Sequence, residues 1–157
     1  MSDTESLSDT ELVDLLQRYL TILQGHPRAD EMMERILTDD FETGFIGGHI
    51  WRGLDGLRDF LSQREGFFDE RHVIEDLLER HDGDGDVEAH TRLDFFLRRL
   101  EAPSPASEEF TGKCFHTWRV RLADDGWRVA AQMVERFTDL NDNAKRLFAT
   151  PDEGLNR

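Results

Sequence analysis

Apolar residues recur at helical spacing in the first part of the chain, which predicts a leading α-helix. Ser8 and Glu11 fit a capping box, in which each side chain binds a free backbone amide of the first helical turn. The helix is expected to end at Gly25 and Pro27. Its apolar side consists of Leu12, Val13, Leu15, Leu16, Tyr19, Leu20 and Leu23.

Shorter elements are predicted between this helix and residue 70. The apolar pattern predicts a second helix at about 29–37, ended by Asp39 and Asp40, and a third at 53–63. A short strand is predicted at 41–46, and a loop with an exposed aromatic pair at 65–70. Three helices therefore precede the main β region.

From Arg71 the period of the apolar pattern changes from 3.6 to two, which predicts long β-strands. A first hairpin runs from Arg71 to Leu97 around an acidic turn at 82–86, and a second runs from 110 to 137 around a turn at 124–126. In the second hairpin, one face of the first strand carries Phe110, Gly112, Cys114, His116, Trp118, Val120 and Leu122. The return strand is expected to place Trp127, Val129, Ala131 and Met133 on one face. A proline-containing loop at 102–107 and a short terminal helix at 139–148 complete the prediction.

Helices followed by a meander of strands indicate an α+β fold, with three N-terminal helices packed on a strongly curved, mostly antiparallel sheet. The concave face of such a sheet forms a pocket, which is the usual place for a small ligand. We expect one domain at 9–148, preceded by a flexible N-terminus at 1–8 and followed by a polar tail at 149–157.

The net charge of the chain limits the classes of partner that it is expected to bind. The 157 residues include 34 acidic and 19 basic side chains, for a formal net charge of -15. Such a field repels phosphate backbones and anionic lipid, so binding to nucleic acid or to a membrane surface is not expected. The scarcity of lysine fits a salty cytoplasm and a GC-rich genome equally well.

Cys114 is the single cysteine, so no internal disulfide can form, and its place in an apolar strand favours a packing role. No window reaches the roughly 18 apolar residues of a membrane span. The first residues are acidic rather than basic, unlike a secretory signal. We therefore expect a cytoplasmic protein.

Three local stretches resemble the nuclear transport factor 2-like superfamily, and more narrowly its SnoaL-like domains. They are DDFETGF at 39–45 with WRGLDGLRDF at 51–60, RHVI at 71–74, and DGWRV at 125–129. The match covers about 11–137, and the order and spacing of the three stretches carry it. The resemblance implies a cone-shaped α+β barrel that binds a small molecule and forms a homodimer or homotrimer.

Within the superfamily, the first hairpin is most similar to two groups. One holds scytalone dehydratase and a lindane dehydrochlorinase, and the other is the β subunit of aromatic-ring-hydroxylating dioxygenases. The first group implies that His72 is a general base, a role that suits an imidazole. His90 matches a second histidine of scytalone dehydratase. The acid that orients the base in these enzymes is missing, because residues 23–25 read Leu-Gln-Gly.

Four further residues are candidates for contact with substrate. Tyr19 matches the tyrosine of ketosteroid isomerase, another relative, but that enzyme's two acid positions are occupied here by Phe45 and His116, so its chemistry is not expected. His116 lies between Cys114 and Trp118 on an apolar face, and is either a satisfied core group or a pocket donor. Phe45 and Trp118 are expected to line a pocket for a ring-shaped ligand.

The polar register of the first hairpin leaves two alternatives for its residues. His90 shares parity with Glu88, Arg92 and Asp94, so it either faces solvent or lies beside a bulge or a polar pocket. Arg92 and Asp94 resemble the pair that activates water and epoxide in limonene epoxide hydrolase, but the spacing also fits a surface ion pair. The turn 82–86 lacks the glutamate at the twelfth position of a calcium loop, and no metal or cofactor is expected.

These observations favour a cofactor-free lyase, isomerase or cyclase that acts on a cyclic or polyketide-like substrate by histidine acid–base chemistry. His72 and His90 are the candidate catalytic residues, and Tyr19, Phe45, Arg92, Asp94, His116 and Trp118 the candidate substrate-binding residues. Two alternatives stay open: a non-catalytic partner like the dioxygenase β subunit, and a protein that only binds its ligand.

Overall fold

The computed structural model describes residues 6–100 and 107–148, which form four helices and six strands. The helices are α1 Asp9–Gln24, α2 Ala29–Arg35, α3 Gly53–Gln63 and α4 Asp142–Phe148. The strands are β1 Leu37–Phe45, β2 Ile50–Arg52, β3 Phe67–Gly83, β4 Asp86–Leu100, β5 Ser107–Ala123 and β6 Gly126–Thr138. The predicted loop at 102–107 and the two predicted terminal segments lie largely outside the described residues.

The strands form one curved sheet in the order β2-β1-β6-β5-β4-β3. All neighbours pair antiparallel except β1 and β6, which pair parallel. The predicted α+β class is confirmed, with a fourth helix after the last strand. None of the described helices is both long enough and apolar enough to cross a membrane.

Helix α1 begins as its sequence predicts. The hydroxyl of Ser8 accepts the Glu11 amide at 3.0 Å, and the Glu11 carboxylate accepts the Ser8 amide at 2.9 Å. Gly25 caps the other end. The buried side consists of Leu12, Leu15, Leu16, Tyr19, Leu20 and Leu23, and each such leucine stabilises the fold by about 1.5–3 kcal/mol.

Two predicted boundaries are wrong because strand pairing overrides the local pattern. Strand β1 begins at Leu37, opposite Val129 of β6, and not at residue 41. Asp39 and Asp40 therefore occupy exposed strand positions and do not end a helix. Strand β3 likewise begins at Phe67, opposite Arg99, inside the predicted loop.

A register shift in the β5–β6 pair corrects the predicted face of β6. Arg119 pairs with Ala131 while Val120 pairs with Val129, so Ala130 has no opposite residue. A bulge of this kind reverses which side chains face the core beyond it. Ala131 and Met133, predicted to share a face with Val129, lie on the opposite face. Gln132 and Val134 take their place on the concave side.

Candidate active site

A cavity of about 670 Å³ lies between the concave face of the sheet and the helices. Its wall is mainly apolar, with seven phenylalanines and Trp51. Polar side chains also line it, among them Thr43, Arg64, His72, His116 and Gln132. A large apolar pocket with a few polar groups is the usual form of a small-molecule site.

His72 lines this cavity from β3, and α1 holds its backbone. Gln24 accepts the His72 amide at 2.6 Å, and Gln17 donates to the His72 carbonyl at 2.7 Å. Burial, together with the nearby charge of Arg64 and the repulsion that a protonated His116 would add, lowers the pKa of His72 to about 3. The imidazole is therefore neutral at neutral pH, and its Nδ1 has no hydrogen-bond partner among the described residues.

His116 lines the same cavity from β5 and is held by Gln132. The Gln132 carbonyl oxygen accepts the hydroxyls of Tyr19 at 3.2 Å and Thr43 at 2.9 Å. Its amide nitrogen is then left to donate to Nε2 of His116 at 3.0 Å.

The hydrogen bond to Nε2 determines where His116 carries its proton. Burial lowers the pKa of His116 to about 3, so the ring is neutral and has one N–H. Because Nε2 is an acceptor, that proton lies on Nδ1. Nδ1 is buried and has no partner within the described part of the chain. His116 can thus offer a hydrogen bond to a ligand in the cavity.

Arg64 and Gln132 are the site residues that the sequence analysis missed. Arg64 follows α3 and forms an ion pair with the fully buried carboxylate of Glu70. Burial raises the pKa of Glu70, and the charge of Arg64 opposes that shift. Nothing in the local pattern distinguishes Arg64 from a surface residue. Gln132 had a signal, since it is one polar residue within the apolar run 130–134.

His90, predicted as a second catalytic histidine, lies on the opposite face of the sheet from the cavity. Its ring contacts Glu88 at 3.0 Å and Glu135 at 3.4 Å. Burial lowers the pKa of His90, but its hydrogen bonds to these two carboxylates outweigh burial and raise it. His90 and His72 therefore do not share one pocket, because strand alternation directs them to different faces.

Arg92 and Asp94, predicted to bind substrate, also lie on the outer face. Arg92 pairs with Asp76, and Asp94 accepts from Lys113 at 2.7 Å. Each charge is thus used in a cross-strand ion pair, and neither residue lines the cavity.

Of the other three residues predicted to contact substrate, one lines the cavity and two lie behind its wall. Phe45 lines the cavity. Tyr19 and Trp118 are fully buried behind the wall, with ring centroids 5.4 Å apart in an edge-to-face arrangement. The indole of Trp118 donates to Thr91 at 2.8 Å. Neither Tyr19 nor Trp118 lines the cavity; Tyr19 donates to Gln132, and the Trp118 ring centroid lies 5.5 Å from that of His116.

One group of potential metal ligands occurs among the described residues. Oxygen and nitrogen atoms of Glu79, His81 and His90 lie within 4.8 Å of one another. These residues lie on the outer face near the β3–β4 turn, and the cavity does not include them. A metal there would not reach the two histidines of the cavity.

Comparisons with known proteins agree with this architecture. The model of the SnoaL-like domain family matches residues 4–132. No curated protein matches the sequence.

Three solved structures illustrate the similarity in fold. The Kfla4162 protein from Kribbella flavida has a TM-score of 0.70 at 16% identity, covering 87% of this chain and 95% of that one. A proposed scytalone dehydratase from Novosphingobium aromaticivorans has a TM-score of 0.68 at 13% identity, covering 83% and 84%. A type 2 hexachlorocyclohexane dehydrochlorinase has a TM-score of 0.65 at 14% identity, covering 83% and 84%. At these identities the likeness concerns the fold alone, and the sequence match over residues 4–132 shows that the chain belongs to the family of SnoaL-like domains.

Proposed function

We propose that this protein is a cofactor-free lyase, isomerase or cyclase that transfers a proton on a cyclic or polyketide-like small molecule. One observation carries the proposal: Nδ1 of His72 and Nδ1 of His116 are both buried without partners, and both residues line one aromatic cavity. A buried polar atom without a partner costs about 1–3 kcal/mol. A ligand that binds both atoms removes that cost.

His72 is the proposed base and His116 the proposed donor. The neutral His72 ring takes a proton from a carbon next to a carbonyl group, and the C–H electron pair moves toward the carbonyl oxygen. The N–H of His116 at Nδ1 stabilises the negative charge on that oxygen. Protonated His72 then returns its proton to another carbon, in an isomerisation, or to a leaving hydroxyl group, in a dehydration.

The low pKa of His72 is compatible with this role. The pKa is low because burial disfavours an isolated imidazolium. As the proton moves, an enolate forms beside the ring, and an opposite charge nearby raises the imidazole pKa. The cavity therefore disfavours protonation by solvent and favours protonation by a bound carbon acid.

The test is hydrogen–deuterium exchange at carbon in a model ketone. We expect the wild-type protein to accelerate exchange at the acidic carbon of 2-tetralone in D2O, followed by NMR. We expect His72→Gln to slow the protein-dependent rate about 100-fold, within the range for loss of a general base. His90→Gln is the matched control, because His90 lies on the outer face, and we expect its rate to stay within about twofold of wild type. Wild-type exchange no faster than buffer, or full activity of His72→Gln, contradicts the proposal.

A binding-only protein is the second candidate, and one observation favours it. No carboxylate bonds the His72 ring among the described residues, and the two helix residues that reach His72, Gln17 and Gln24, bond its backbone instead. For this candidate the same experiment gives 2-tetralone binding, detected by calorimetry, without any exchange above buffer.

Self-association is the expected state of the protein. Large apolar side chains that stay exposed include Phe68 and Val73 on β3, together with Ile46. Burial of these side chains in a homodimer or homotrimer would remove apolar surface from water. Light scattering coupled to size exclusion measures the mass, and an 18.3 kDa species at micromolar concentration contradicts the expectation.

A further inference from the structure

We propose that the ligand of the cavity carries a carboxylate group, which binds the guanidinium of Arg64. This inference rests on the proposed function only in that it concerns the same cavity. It names a substrate class that the two histidines do not determine.

Arg64 has an unused donor at the cavity wall. Its side chain is only 12% exposed, and its Nη2 is occupied by Glu70. Its Nη1 is buried and has no hydrogen-bond partner among the described residues. A buried charged donor without a partner is costly, and a carboxylate is the acceptor that best fits a guanidinium edge.

Glu70 does not occupy this second donor. Its other oxygen lies 3.3 Å from Nε2 of His26 and has no hydrogen-bond partner among the described residues. Glu70 thus bridges two basic side chains and does not line the cavity. A ligand carboxylate would satisfy Nη1 and leave the bond between Nη2 and Glu70 in place.

Basic side chains outnumber acidic ones in the cavity wall, whereas acidic side chains outnumber basic ones in the whole molecule. The chain carries 34 acidic and 19 basic side chains. Of the acidic and basic side chains in the wall, histidine apart, three are arginines, namely Arg64, Arg99 and Arg146, and one is an acid, Glu108. Glu108 is paired with Arg99 at 3.1 Å. Because screening limits the outer acidic field to about 8–10 Å at physiological salt, these local charges decide what binds.

The surroundings of Arg64 favour an aromatic carboxylate. The guanidinium carbon lies 5.6 Å from the centre of the Phe60 ring, which also lines the cavity. A ring placed among the phenylalanines can therefore project a carboxylate toward Nη1. Arginine holds a planar carboxylate better than lysine does, because its donors form a rigid fork.

The experiment compares 2-naphthoate with its neutral analogue 2-naphthamide by isothermal titration calorimetry. We expect the wild-type protein to bind 2-naphthoate at least about tenfold more tightly, since a hydrogen bond to a charged group contributes about 1.5–3 kcal/mol. The variant Arg64→Gln combined with Glu70→Gln removes the pair without stranding a buried charge. In it we expect the two probes to bind within about twofold of each other.

Two single variants serve as controls. Glu70→Gln keeps Arg64 and removes a competing negative charge, so we expect the preference for 2-naphthoate to persist or increase. Arg121→Gln removes an arginine that pairs with Asp40 outside the cavity, and we expect no change. Equal binding or no binding of the two probes to wild type overturns the proposal, as does a preference that persists in the double variant. None of these outcomes depends on turnover, so failure here is distinguishable from failure of the 2-tetralone exchange test.

Discussion

Gln132 lies at the centre of a buried hydrogen-bond network that joins α1, β1, β5 and β6. It accepts from Tyr19 and Thr43 and donates to His116. In this orientation of the amide the carbonyl oxygen accepts both hydroxyls and the amide nitrogen donates to Nε2 of His116, so the His116 proton lies on Nδ1. The chemistry available to His116 is thus decided by a residue on the neighbouring strand.

Replacement of Gln132 by leucine should destabilise the protein although leucine is a good core residue. The Tyr19 and Thr43 hydroxyls lose their shared acceptor, and we expect the free energy of unfolding to fall by about 1–3 kcal/mol. Urea denaturation at neutral pH measures the change. Gln63→Leu, at an exposed position of the cavity rim, is the matched control and should stay within about 0.5 kcal/mol of wild type. A Gln132→Leu protein as stable as that control would show that the network contributes nothing.

At the scale of elements, α1 covers the edge of the sheet that β3 forms. Strand β3 is the last strand, so one row of its backbone groups has no neighbouring strand. Gln17 accepts the Ile74 amide at 2.9 Å and donates to the His72 carbonyl at 2.7 Å, as a neighbouring strand would. Gln24, two helical turns later on the same side of α1, accepts the His72 amide at 2.6 Å. The helix therefore both protects the edge and positions the proposed base.

Gln17→Ala should open this contact locally. We expect the amide of Ile74 to lose protection in hydrogen exchange by about tenfold or more, because its acceptor is gone and the edge of β3 becomes accessible to water. NMR-detected exchange measures it. The control is Thr21→Ala, since the hydroxyl of Thr21 bonds only to a carbonyl of its own helix. Unchanged exchange at Ile74 would mean that β4 alone holds β3 in place.

At the scale of the whole molecule, two buried neutral histidines make the free energy of unfolding depend on pH. The folded pKa of His72 and of His116 is about 3, below the ordinary value of 6.5. Above pH 6.5 both rings are neutral in the folded and the unfolded chain, so they contribute no pH dependence. Between pH 6.5 and about 3 the unfolded chain binds protons that the folded chain does not, so stability falls as the pH falls.

His116→Gln should flatten this loss of stability. Each histidine contributes a slope of about 1.4 kcal/mol per pH unit where only the unfolded chain is protonated, and one of the two slopes disappears. Urea denaturation between pH 4 and 6 measures the slope. His90→Gln should leave the slope between pH 4 and 6 unchanged, because the folded pKa of His90 is raised, so its stabilisation is fully present below pH 6.5 and is lost only as the pH rises above that value. An unchanged slope in His116→Gln would mean that this ring is protonated in the folded state.

The sequence alone determined the order and type of the elements. Helical and alternating patterns are local properties, and they located α1, α3 and the four long strands within a few residues. Alternation also identified the buried face of β4, namely Val87, Ala89, Thr91, Leu93, Phe95 and Leu97. It placed His90 in the polar register, whereas the resemblance to scytalone dehydratase suggested a pocket role. The structure follows the alternation.

The composition of the site was decided only by the tertiary structure. His72 was identified through its family resemblance, and His116 through its apolar strand face. The bulge at Ala130 brings Gln132 to the concave side. This bulge depends on how β6 pairs with β5, and the sequence of β6 alone does not reveal that pairing. Arg64 lines the cavity from the segment between α3 and β3, where it pairs with Glu70. Gln132 acquires its role from partners distant in the chain, and a pattern of neighbouring residues carries no information about such partners. Arg64 pairs with Glu70 only six residues later, but the burial of that pair depends on the folded structure.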